Sequence, residues 1–176
     1  MGNLGQLFTS MDGRINRRPF WMGVIVMIIA AIVVSFILMT IMGVSLFSMA
    51  SGGVDADALM AMTRTGAWAN LIVWLIFAYP SAALMIKRRH DRGSSGIEVW
   101  VLLGLNALAI LLQALGIGYT VQTIANTTII MPGLLNTILS ILSGLLGLYL
   151  LVVCGFLKGT PGANAYGPDP LGGAAE

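Results

Sequence analysis

Apolar residues fall into four long runs separated by short polar stretches. The first run extends from Phe20 to about Phe47 without a single charge, and Arg14, Arg17 and Arg18 stand just before it. The second, Trp68 to Ile86, contains Pro80, which removes a backbone donor and predicts a kink near the end of that helix. It stops at Lys87-Arg88-Arg89-His90-Asp91-Arg92. Gly93-Ser94-Ser95-Gly96 reads as a tight polar turn, which makes the second and third runs an antiparallel hairpin. The third run, Ile97 to Ile117, has Glu98 at its start, and the fourth, Leu134 to Leu157, ends at Lys158. Between them, residues 118 to 133 form an uncharged loop rich in Thr, Asn and Gly.

A spanning helix needs about 20 consecutive, mostly apolar residues. The pattern therefore predicts an all-α membrane protein with four transmembrane helices over about 20–47, 68–86, 97–117 and 134–157. Residues 1–158 form one transmembrane domain, and 159–176 a tail dense in Gly, Pro and Ala that reads by composition as a linker. Ser48-Met49-Ala50 would suit a signal peptidase, and Arg17-Arg18 looks like part of a twin-arginine signal. A signal core, however, is about 7 to 15 residues long. The first run is far longer, so it is expected to stay in the membrane as a span.

Composition agrees with this reading. Of 176 residues, 57% are hydrophobic and 9% charged, against about 25% charged in a typical soluble domain. A net charge of +2 is too small to indicate nucleic acid, and the cations flank apolar runs, where anionic lipid is the nearer partner. The single cysteine, Cys154, lies inside the fourth run and reads as packing.

Orientation follows from the basic residues near the span ends. With the amino terminus inside, the inner side receives Arg14, Arg17, Arg18, Lys87, Arg88, Arg89, Arg92 and Lys158, and the outer side only Arg64. Both termini are therefore expected in the cytoplasm.

No charge lies deep in any run, whereas ion-coupled transport generally needs an intramembrane ionisable group. The intramembrane polar residues are neutral. Asn106 and Gln113 lie two turns apart on one face of the third span. In the fourth, Asn136, Ser140, Ser143, Gly144 and Gly147 make a stripe of small and polar residues whose spacing lets helices approach closely. The stripe reads as packing within the chain, with a homo-oligomer seam or a multi-subunit polar path as the sharper alternatives. The loop Lys87-Arg88-Arg89-His90-Asp91-Arg92-Gly93 is a topology determinant that also suits an anion site. His90 and Asp91 point in different directions and have no nucleophile or ligand cluster beside them, so no catalytic residue, metal or cofactor is assigned.

Three segments together resemble the bacterial inner-membrane family called domain of unknown function 805. They are Gly13-Arg14-Ile15-Asn16-Arg17-Arg18 leading to Phe20-Trp21; then Arg88 and His90-Asp91-Arg92-Gly93 with Ser95-Gly96; and Gly159-Thr160-Pro161-Gly162-Ala163-Asn164 with Tyr166-Gly167 and Asp169-Pro170. The chain carries Arg89 where the family usually has Leu, and Ile97 where a Trp is frequent. The resemblance implies a small multi-pass protein of the bacterial inner membrane and supplies no activity. It also brings Asn164, Tyr166 and Asp169 into the picture. All three segments fall on the cytoplasmic side, where Asp91 and Asp169 are placed to pair with the arginines.

The sequence thus predicts a binding or scaffolding component whose basic cytoplasmic patch takes anionic lipid headgroups or a membrane protein partner; the competing reading is a subunit of an oligomeric channel or transporter. Its first test is topology. Reporter fusions after Gly53 and after Thr127 should be active only in the periplasm, and fusions after Gly93 and Glu176 only in the cytoplasm. A cytoplasmic signal at Thr127 would break the four-span arrangement.

Overall fold

The computed structural model describes residues 4–43, 55–124 and 127–172. Its elements in chain order are α1 (Leu4–Thr9), α2 (Arg17–Ile41), α3 (Ala56–His90), α4 (Ile97–Leu115), β1 (Tyr119–Ile124), β2 (Thr127–Pro132) and α5 (Leu134–Gly155). Helices α2, α3, α4 and α5 are each long and apolar enough to cross a membrane, so the chain has the make-up of a multi-pass membrane protein.

Several elements differ from the sequence reading: among them, α2 ends at Ile41 and not near Phe47, and α3 runs on from Ile86 to His90. Helix α2 begins three residues early, at Arg17, and the Ser48-Met49-Ala50 triplet lies outside the described residues. Helix α3 begins at Ala56, twelve positions before the apolar run, and continues through Pro80. Asp55 explains the early start: its carboxylate accepts from the Ala58 amide at 2.7 Å, as an N-cap does. At about 1.5 Å per residue this helix of 35 residues is roughly 52 Å long, against about 30 Å of hydrocarbon. The stretch expected to be an uncharged loop is a β-hairpin, in which Tyr119 pairs with Pro132 and Ile124 with Thr127. Its β-branched Thr, Val and Ile residues favour strands.

The chain divides into two compact units. The first gathers Met1–Ala30, Ile76–Leu103 and Gly144–Glu176. Its core holds Phe20, Ala82, Ala83, Leu84, Val99, Leu150 and Cys154, all buried. Gly23 permits a close approach here, because a Cβ at that position would lie 2.6 Å from a Leu84 methyl. Gly93, at φ +73°, ends α3 in a Schellman motif: the Ser94 amide bonds the Arg89 carbonyl and the Gly93 amide that of His90.

The second unit comprises Ala31–Leu75 and Gly104–Ser143. Helix α4 closes with the same motif at Gly116, and the Arg64 Nε donates to the Ala114 carbonyl at 3.3 Å. Asn136 is buried at the start of α5, and its amide donates to the carbonyls of Ile117 at 2.9 Å and Gly118 at 2.7 Å. One side chain thus ties the hairpin's root to α5. Ser140 bonds its own helix, to the Asn136 carbonyl, and Asn106 and Gln113 are both half-buried on α4.

The expected packing role of Gly144 and Gly147 does not hold among the described residues. A Cβ added at either would meet nothing within 4 Å, so no neighbouring backbone needs the missing side chain.

These contacts predict that Asn136→Leu leaves the Ile117 carbonyl without a donor, while Gly118 keeps the Gly133 amide, and lowers stability by about 2 kcal/mol, read as an earlier thermal transition in detergent. Gly144→Leu should leave that transition in place. The reverse ranking would sink this account of the fourth span.

Candidate functional site

A spanning helix ends with carbonyls that no amide of its own can reach, and at a membrane boundary they still require donors. The end of α5 meets this need with side chains from the two earlier motifs. Arg88 Nε donates to the Cys154 carbonyl at 2.7 Å, and Trp21 Nε1 to that of Gly155 at 3.0 Å. Arg17 takes Phe156 at 3.2 Å, a second Arg88 nitrogen takes Leu157, and Arg92 takes Lys158 at 2.6 Å. Cations at a helix C-terminus also oppose its negative dipole end. The Trp21 ring meets Phe156 edge-on, with centroids 5.7 Å apart.

Asp91 holds the donors in place. One carboxylate oxygen accepts from Arg14 Nε at 3.1 Å and from a second Arg14 nitrogen at 3.0 Å, and the other oxygen pairs with Arg88. The three side chains are 1%, 0% and 5% exposed for Arg14, Arg88 and Asp91. Arg14 also reaches forward to the carbonyls of Thr160 and Gly162, both at 2.7 Å, and Gly167 at 3.3 Å. Such a spread of donors in one plane is what a guanidinium offers and an ammonium does not.

The tail is therefore docked over its described part, and the linker reading is corrected. Thr160 bonds the Asp91 carbonyl through both its amide and its hydroxyl, at 2.8 and 3.1 Å. The Asn164 amide donates to the His90 carbonyl at 2.9 Å. The Tyr166 ring lies flat on His90, with centroids 3.9 Å apart and planes 6° apart, while His90 Nδ1 is 3.2 Å from the Gly13 carbonyl. Gly159 passes so close to the Asp91 carboxylate that no Cβ would fit.

Asp169 does not pair with Arg88, Arg89 or Arg92 as expected. Its carboxylate accepts from the Gly162 and Leu171 amides, both at 2.9 Å, and these donors hold its pKa below the usual aspartate value, with Leu171 contributing most. It shapes the tail's own turn.

The same device recurs at α1. Lys87 Nζ donates to the carbonyls of Gln6 and Leu7, each at 2.7 Å, and the Tyr79 hydroxyl to that of Thr9 at 3.0 Å. Arg89 pairs with Glu98, donates to the Ser94 hydroxyl at 3.0 Å, and has its guanidinium 5.8 Å from the Tyr149 ring centre.

The basic cluster is thus brought together as the three motifs imply, but it is mostly turned inward. Arg14, Arg88 and Arg89, expected in a patch for anionic lipid or a protein partner, are committed to carbonyls, carboxylates and a ring within the chain. The physical reason is that a desolvated guanidinium needs several acceptors, and the neighbouring backbone supplies them. Arg17 and Arg18 remain exposed, as does Lys158. The sequence places Lys87 in the anion-site loop and Trp21 in the first motif, and shows neither as a donor to a carbonyl. An Arg-rich helix end followed later by an apolar run and a Gly-rich tail was the signal for the caps.

Asp91→Asn should leave two buried guanidinium groups without a counter-ion, at a cost of about 3–5 kcal/mol. The expected result is a large drop in thermal stability, with faster hydrogen exchange across 160–167. Arg18→Gln should change neither. Protection of the tail surviving in Asp91→Asn would show that the carboxylate is not what organises this site.

A family model for a protein of unknown function (DUF805) matches residues 8–168, a span that begins before Arg14 and ends after Tyr166. No curated protein and no solved structure gives a significant match. All three resembling segments lie within the matched residues apart from the closing Asp169-Pro170, and the chain belongs to the DUF805 family of proteins of unknown function.

Proposed function

We propose that the chain is a binding or scaffolding component of the bacterial inner membrane, not an enzyme, with both termini in the cytoplasm and a basic surface that holds anionic lipid headgroups. The observation that carries this reading is what remains once the buried arginines are committed. Arg17, Arg18 and Lys158 are exposed at one end of the first unit, next to Phe156 at 59% and Leu157 at 40% exposure. Cations beside exposed apolar side chains suit the headgroup level of a bilayer. Arg17 is held by the Phe156 carbonyl, so the surface rests on the capped helix end rather than on a loose loop.

Each exposed cation near an anionic surface adds about 1 kcal/mol of attraction. The triple variant Arg17→Gln, Arg18→Gln, Lys158→Gln should therefore retain much less phosphatidylglycerol in native mass spectrometry than the parent, and Arg64→Gln should retain as much. Equal retention by all three proteins would leave these cations as topology signals.

A subunit of an oligomeric channel or transporter is the second reading. Open space at Gly144 and Gly147 favours it, since a second copy is one way to cover that face of α5. Ion or solute flux across liposomes containing the purified protein would select this reading over a scaffold.

A further inference from the structure

Within the second unit lies a cavity of about 280 Å³. Ser35 and Met39 of α2, Met62, Asn70 and Val73 of α3, and Gln113 of α4 are among the residues that line it.

Two features set this cavity apart from a packing defect. Asn70 is exposed and Gln113 half-buried, and neither amide has a hydrogen-bond partner among the described residues. Asn70 stands in an apolar stretch, flanked by Ala69, Leu71 and Ile72. An amide without a partner is costly in hydrocarbon. The second feature is that, among the described residues, no Asp, Glu, Lys, Arg or His lines the cavity. A charged headgroup would be stripped of water there with no counter-ion to receive it. Two amides present both donors and acceptors, which matches a hydroxyl or an ester carbonyl. The thioethers of Met39 and Met62 form an adaptable wall for the adjoining hydrocarbon.

We propose that this cavity binds a neutral, membrane-dissolved lipid with a hydroxyl or ester head, held by the Asn70 and Gln113 amides, its first chain carbons resting on Met39, Met62 and Val73. The site is separate from the exposed cations of the first unit. Its ligand differs in charge from theirs, so the two readings fail independently.

Dioleoylglycerol is the probe, added to the detergent-purified full chain and followed by native mass spectrometry and by melting temperature. The parent should bind one molecule and melt later, while squalene, equally apolar but without a polar head, should do neither. Asn70→Leu and Gln113→Leu should each weaken binding about fivefold, the worth of one neutral hydrogen bond, and the double variant should lose it. Leu suits a spanning helix, so elution and melting of the unliganded variants should match or exceed the parent. Undiminished binding by the double variant, or displacement of dioleoylglycerol by squalene, would overturn the proposal. So would an oligomer that Asn70→Leu converts to monomer while dioleoylglycerol binding stays intact, since the amides would then belong to a seam between copies.

Discussion

The carbonyls at the end of the last span are the constraint around which the first unit is organised. A helix that stops at a bilayer surface cannot leave them bare, and this one follows α5 with a Gly-rich stretch that has no regular structure to absorb them. Arginine answers the geometry because one planar group serves several acceptors at once. Arg88 spans the Cys154 and Leu157 carbonyls and the Asp91 carboxylate, and Arg14 joins the same carboxylate to three carbonyls of the tail. Asp91 shares its one negative charge between two buried guanidinium groups and so offsets part of the cost of burying them.

The spans were legible because their signal is length and apolarity, which need no knowledge of neighbours. The amino-terminal extension of α3 was not, because Asp57 and Arg64 interrupt the apolar run without interrupting the helix. The hairpin was not legible, because an uncharged stretch containing Thr and Asn suits a loop as well as a strand; Thr120, Val121, Thr128, Ile129 and Ile130 carry the strand preference. At the site, the sequence pointed to the right residues and the wrong use. Charge is visible in a sequence and burial is not. The acceptors here are backbone carbonyls, which every residue has and no motif displays.

Small residues teach the same lesson. Gly144 and Gly147 belong to a stripe spaced for close helix approach, yet neither is crowded. The glycines that the packing requires are elsewhere: Gly155, where a Cβ would lie 2.7 Å from the Trp21 ring, Gly23 against Leu84, and Gly159 over Asp91. None of these forms a spaced pair on one helix. Each is set by a contact with a distant segment.

The order of the caps along the chain has a consequence for biosynthesis. Every donor to the carbonyls of Cys154 to Lys158 lies at least 66 residues upstream of its acceptor. During translation the arginines and the indole leave the ribosome first and wait, hydrated or lipid-associated, until the fourth span is inserted. The closing step of assembly then belongs to the nascent chain's last segment. A protein arrested before Cys154 would hold these donors without the carbonyls that they cap.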